Sequence, residues 1–140
     1  MKRLVIILIL LLVSSCQKPN PAAQLEHISG YWEIESVSMP DGSKKEFSFS
    51  YSIDFIEVVA DSGVRKKVTP RIDGSFLAND AAEKFRLKIE QDSVRMYYET
   101  PFDAWKETVL EAKDSIFRVK NRDHKIYTYK RFNTFKRTKE

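Results

Sequence analysis

KEFSFSYSIDF, residues 45–55, alternates large apolar and small polar side chains: Phe47, Phe49, Tyr51, Ile53 and Phe55 against Ser48, Ser50, Ser52 and Asp54. A period of two means a β-strand or hairpin with one apolar face, because successive side chains of an extended chain point to opposite sides. Phe55 and Ile56 then stand side by side, and Ile56, Val58 and Ala60 continue the apolar set on the opposite phase. Such a slip predicts a bulge or bend of the kind that curves a sheet.

Downstream, short apolar and β-branched runs recur between turn signals: Val64 to Ile72, Lys84 to Glu90, Val94 to Thr100, Trp105 to Ala112, Ile116 to Lys120 and Lys125 to Phe132. Between them stand DSG at 61, DG at 73, QDS at 91, KDS at 113 and NRDH at 121, with PDG at 40 before the first stretch. Asp, Asn and Gly in those places close tight turns. Eight or nine short antiparallel strands fit this spacing. No apolar stretch of helical period reaches three turns. The helix signals are QLEHIS before Gly30 and a one-turn box, Asp80 to Glu83, whose ends could cap each other. Many strands and almost no helix leave a sandwich or a closed barrel. The run of consecutive hairpins favours a single antiparallel meander barrel, preceded by a short helical turn.

The amino-terminal end carries a different message. Lys2 and Arg3 precede ten uninterrupted apolar residues, Leu4 to Val13, and then Ser14 and Ser15. A charged start, an apolar middle and a small-residue exit are the three parts of an export signal. As a helix the apolar run would reach only about 15 Å, half of a hydrocarbon core of roughly 30 Å, which argues against a transmembrane span. Leu12, Val13, Ser14, Ser15 and Cys16 resemble the lipobox of bacterial lipoproteins. The resemblance implies cleavage before Cys16 and a diacylglyceryl group on its thiol. Several acyl chains, at about 0.8 kcal/mol per buried methylene, hold a protein on a bilayer where one chain binds marginally. Gln17 rather than an aspartate follows the cysteine. By resemblance to Gram-negative lipoproteins this places the protein at the outer membrane, facing the periplasm. Two prolines among small and polar residues predict an extended tether from Gln17 to Gln24.

Four segments follow: 1–15, an export signal that is removed; 16–24, a lipidated tether; 25–132, the barrel; and 133–140, a basic tail. Cleavage leaves 125 residues, one domain with a real core, and lowers the formal charge from +4 to +2. That charge is weak support for a nucleic-acid partner, and export makes one less suitable still. All 17 aromatic residues lie in the mature part, which excludes a disordered tail. Cys16 is the only cysteine, so no intramolecular disulfide forms.

LEHISGYWEIESV, residues 25–37, places a short helical turn before Gly30, Tyr31 and Trp32. This resembles the Gly-x-Trp motif of the lipocalins. With the lipobox, the turn at MPDGS and the terminal strand IYTYKRF, the chain resembles small lipocalin-like lipoproteins from Leu25 to Phe132. The resemblance implies that Trp32 closes the base of the barrel and that Arg131, from the last strand, stacks on it. A second lipocalin motif, a Thr-Asp-Tyr-like triplet, has no match, and the carboxy-terminal helix usual in the family is missing. A barrel of eight strands is just wide enough to be filled by side chains or to hold one small ligand.

The ligand reading places Phe47, Phe49, Tyr51, Phe55 and Tyr97 on the inner wall with Trp105, opposite Leu87, Ile89, Val94, Met96, Val109 and Phe117, around a small apolar or amphipathic molecule bound by a monomer. The alternative is a filled barrel whose loops bind a protein. ETPFDAW puts Phe102 and Trp105 around a proline turn, either as an aromatic lip at the mouth or with Trp105 simply starting the next strand. Arg65, Lys66 and Lys67, and Lys130, Arg131, Lys136, Arg137 and Lys139, are either a membrane-resting surface or a solvated face. His27 and His124 stand 97 positions apart, too few ligands for a zinc site. No phosphate loop, nucleophile elbow or other catalytic motif occurs, so no enzyme and no cofactor are expected. A carboxylate pair assembled by folding would come from Glu33, Glu35 and Asp54.

Overall fold

A computed structural model of the chain describes residues 18–133. The expected export signal, Cys16, Gln17 and the expected tail beyond Asn133 lie outside the described residues. A short helix, α1 (Pro21–Leu25), precedes nine strands: β1 (Gly30–Ser38), β2 (Lys44–Glu46), β3 (Ile53–Val59), β4 (Ser62–Pro70), β5 (Phe76–Glu90), β6 (Ser93–Glu99), β7 (Ala104–Ala112), β8 (Ile116–Lys120) and β9 (Ile126–Arg131).

Every pairing is antiparallel, and each strand from β3 to β9 pairs with the next. β1 closes the ring, bonding β3 through Gly30 to Trp32 and β9 through Trp32 to Ser38. The result is an eight-stranded meander barrel, as the turn spacing predicts. β2 is the extra strand. It pairs with Ser36 to Ser38 on the β1 edge opposite β9, beyond the point where β3 lets go. Closure matters physically because it removes the exposed strand edges that an open sheet would present.

The turns form for the reason their composition suggests. In Met39–Ser43, the Asp41 carboxylate accepts from the Ser43 amide at 2.9 Å and hydroxyl at 2.6 Å. Asp73 and Ser75 repeat both bonds at the same distances. These turns, with 100–103 and 121–125, sit at one end of the barrel, the mouth. The other end, the base, carries α1, Gly30 and the turns after β3, β5 and β7. α1 packs on β6 and β7. Asn20 caps it by accepting from the Ala22 amide at 3.0 Å, and Gln24 is buried. The chain is therefore helical over Pro21–Leu25, where the composition predicts an extended tether.

Three further expectations need correction. Residues 47–52 form a loop, not the first strand of an apolar face. The Ser50 side chain turns back on the local backbone: its hydroxyl donates to the Ser52 carbonyl at 2.6 Å and accepts from the Ser52 amide at 3.3 Å. Such local bonds compete with a sheet ladder. Nor is there a slip at Phe55 and Ile56, since β3 pairs with β4 without a break from Ile53 to Val59. The register shifts fall instead in β1 between Ile34 and Ser36, in β4 between Lys66 and Val68, and in β7 between Val109 and Glu111. Asp80 to Glu83, the candidate helical box, belongs to β5.

Candidate functional site

At the base of the barrel Trp32 is fully buried, and its indole nitrogen donates to the Ile28 carbonyl at 2.9 Å. The Arg131 guanidinium lies 3.9 Å from the centre of that ring. It also donates to the carbonyls of Asp114 at 2.7 Å, Ser29 at 2.8 Å and His27 at 3.2 Å, tying the entry to β1 against the end of β9. Gly30 makes room for it: with φ at +138°, a Cβ there would stand 2.1 Å from an Arg131 nitrogen. Above this plug, Val94, Met96, Val109, Ala112, Phe117 and Val119 close the core.

The upper half of the interior is charged. Arg65 is buried, and its guanidinium donates to Asp54 Oδ2 and the Tyr129 hydroxyl at 2.7 Å each, to the Tyr98 hydroxyl at 3.1 Å and to Glu107 Oε2 at 3.3 Å. The Lys67 ammonium closes on the second Asp54 oxygen, Oδ1, as an ion pair that lacks hydrogen-bond geometry. Two cations and two carboxylates leave the cluster neutral, the arrangement under which charges persist in a low-dielectric interior. Burial works to raise the Asp54 pKa, but the Arg65 and Lys67 charges outweigh it and hold the carboxyl below its ordinary value. Burial raises the Glu107 pKa, and Arg65 only partly offsets it. The Tyr98 and Tyr129 phenols are pushed well above their usual range, chiefly by burial, and stay protonated.

Together these side chains form a continuous column. Trp32 meets Phe117 at 5.4 Å, Phe117 meets Tyr129 at 5.9 Å, Tyr129 lies 5.2 Å from the Arg65 guanidinium, and Tyr98 packs against Phe85 at 5.3 Å and Trp105 at 5.1 Å. The barrel is filled by its own side chains.

This changes the place of nearly every residue expected on a ligand-lined inner wall. Phe47, Phe49, Tyr51 and Phe55 are all outside the core cluster. Phe47 is half-buried with the Lys45 ammonium 5.1 Å over its ring, and Phe49 meets Tyr51 edge-on at 4.9 Å on the exposed loop. Phe55 faces outward and packs on Tyr31 at 4.8 Å. Tyr97 also faces outward, its hydroxyl donating to Glu90 at 2.7 Å. Trp105 alone takes the inward phase, half-buried and stacked on Tyr98. Leu87, Val94, Met96, Val109 and Phe117 do point inward, while Ile89 is half exposed. Phe102 is almost fully exposed on its turn.

Asp54 is the one member of the network among the candidate paired carboxylates, and folding couples it through Arg65 to Glu107, not to Glu33 or Glu35. Glu33 instead lies near Lys130, at 3.9 Å. Of the residues read as a basic surface, Arg65 is interior and Lys67 is ion-paired over Asp54. The signal that could have found them is the turn at Ala60 and Asp61. A two-residue turn sets Val59 opposite Ser62 and hence Ile56 opposite Arg65 and Asp54 opposite Lys67, on one face.

A concavity of about 960 Å³ crosses β3 to β7. Ten of its lining residues lie on two cross-strand rows, Glu57–Val64–Lys84–Glu99–Ala104 and Val59–Ser62–Arg86–Tyr97–Lys106, on the face opposite Phe85 and Tyr98. It is thus mainly an outer groove, with Tyr97 and two valines flanked by Lys84, Arg86 and Lys106.

A comparison with curated proteins found no match. Among solved structures, one described as a lipocalin-like protein from Bacteroides uniformis ATCC 8492 shares 10% identity over 76% of this chain and 99% of its own, with a TM-score of 0.48. The model of the lipocalin-like domain family matches residues 28–119, well over half of the chain. A barrel of this family suggests a ligand-binding role in general. On the strength of the family match, this chain belongs to the lipocalin-like domain family.

Proposed function

We propose that this protein is an outer-membrane lipoprotein that binds a small amphipathic molecule in the outer groove of its barrel, without catalysis. The observation that carries the reading is the contrast between a filled interior and a groove of about 960 Å³, the size of a small-molecule site. Val59, Val64 and Tyr97 supply apolar contact there, and Lys84, Arg86 and Lys106 set against Glu57 and Glu99 leave one net positive charge for the charged end of an anionic amphiphile. Tyr97 and Trp105 are the two expected ligand contacts that line it.

Titration with a fluorescent fatty-acid analogue tests this. A variant carrying Tyr97→Ala and Lys106→Glu, both outside the core, should weaken saturable binding by at least about tenfold, or 1.4 kcal/mol, with an unchanged circular dichroism spectrum. Binding indifferent to these substitutions would move the ligand elsewhere. Failure of several lipophilic probes to bind would favour a second reading, in which the mouth docks a protein. That reading is supported by Tyr51, Ile72 and Phe102, which stand exposed on three separate mouth loops.

Anchoring at Cys16 is part of the same proposal. The four residue steps from Cys16 to Asn20 reach at most about 14 Å, so a lipid there would hold the base near the bilayer and turn the mouth away from it. Mass spectrometry of mature protein should find an acylated Cys16 with nothing before it, and Cys16→Ser should leave the membrane fraction. A mature chain that starts elsewhere removes the anchor.

A further inference from the structure

The mouth holds a second, smaller pocket of about 300 Å³, lined by Ser52, Lys67, Thr69, Leu77, Ala78 and Asn79. Its volume is roughly that of ten waters, enough for a compact organic molecule. Lys67 both lines it and covers Asp54. The Asp54 side chain is only 1% exposed, and while Arg65 satisfies Oδ2, no hydrogen bond reaches Oδ1. The contact made by Oδ1 is the Lys67 ammonium, on a side chain 62% exposed and held by a flexible four-carbon stem. A buried carboxylate needs a cation beside it, and the cation on Oδ1 is carried by a mobile, largely exposed side chain.

We propose that this pocket binds a small organic cation, whose ammonium or guanidinium group takes Asp54 Oδ1 in place of Lys67. Lys67 is then an internal competitor that swings into solvent when the cation enters. With Lys67 out, Asp54 and Glu107 face Arg65 alone, and the site carries one net negative charge. That balance selects a cation and rejects an anion, which would have to approach two carboxylates. The Ser52 and Thr69 hydroxyls and the Asn79 amide oxygen can accept further donors, and Leu77 and Ala78 offer contact for a short carbon chain. The site lies on the inward face of β4 at the mouth, apart from the outer groove, and does not depend on the groove being occupied.

Isothermal titration of the full-length protein with 1,4-diaminobutane tests the proposal, with 1,4-butanediol and succinate as neutral and anionic controls. The diamine should bind and the controls should not. Lys67→Met removes the competitor and should tighten diamine binding by about tenfold, because the entering cation no longer has to displace a resident ammonium from Asp54. Leu77→Trp fills the pocket at an exposed position and should abolish binding with the melting temperature unchanged. Tyr97→Ala, in the groove, should leave diamine binding untouched. The proposal is overturned if Lys67→Met binds no tighter than the parent, if succinate binds in preference to the diamine, if Leu77→Trp binds as before, or if Tyr97→Ala weakens the diamine.

Discussion

Replacing Arg65 with methionine should lower the unfolding free energy by about 3–5 kcal/mol, the usual cost of removing one side of a buried ion pair. The guanidinium is the hub of the upper interior. It satisfies Asp54, Glu107, Tyr98 and Tyr129 at once, and none of these can turn to water without breaking the column through the barrel. Methionine fills part of the space but leaves Glu107 buried without its cation and Asp54 with Lys67 alone. Urea denaturation of the parent and variant measures the loss. Adding Asp54→Asn and Glu107→Gln to Arg65→Met should recover much of it, since the penalty belongs to uncompensated charge and not to the missing volume. A loss below about 1 kcal/mol would mean that water already reaches the carboxylates. The interior would then be open rather than filled, and a ligand inside the barrel would return as the better reading.

Trp32→Ala should cost a similar amount, about 3–5 kcal/mol, for a different reason. The indole has no exposed surface, packs on Phe117, and hands its N–H to the Ile28 carbonyl. Truncation leaves a cavity at the base and strands that carbonyl. It also removes the surface under the Arg131 guanidinium, a cation–π contact worth up to about 2 kcal/mol where it is desolvated. A double-mutant cycle of Trp32→Phe with Arg131→Met separates the two terms by chemical denaturation. A positive coupling energy is expected from the stack. A Trp32→Ala variant as stable as its parent would show that the base is not held closed by this residue.

Several features of the molecule are local enough to be legible in the chain. β4 and β6 to β9 fall close to the runs expected of them because each is short, β-branched or aromatic, and bounded by Asp, Asn or Gly. Those turn residues act on their own backbone, as Asp41 and Asp73 do, so their effect needs no distant partner. Gly30, Trp32 and Arg131 could be singled out because a motif and a terminal strand carry them. Closure into a barrel followed from the succession of hairpins.

The inner wall is another matter, because which phase of a strand faces inward is decided by register across the sheet. In residues 47–55 the apolar phase has the pattern of an interior face. The Ser50 side chain, bonded to the backbone of Ser52, helps dissolve its first half into a loop, and the pairing of β3 between β1 and β4 turns Phe55 out and Asp54 in. One residue of phase exchanges a phenyl ring for a carboxylate. The same register carries Arg65 to the centre of the barrel, although its neighbours Lys66 and Lys67 make it look like surface. A charge is tolerated there only because Asp54 from β3, Tyr98 from β6, Glu107 from β7 and Tyr129 from β9 converge on it. These partners lie 11, 33, 42 and 64 positions away along the chain. Composition and turn chemistry determined that this sequence would close into an antiparallel barrel. Only the tertiary structure decided that the barrel is filled, since the free energy of burying Arg65 depends on four side chains that no local pattern brings together.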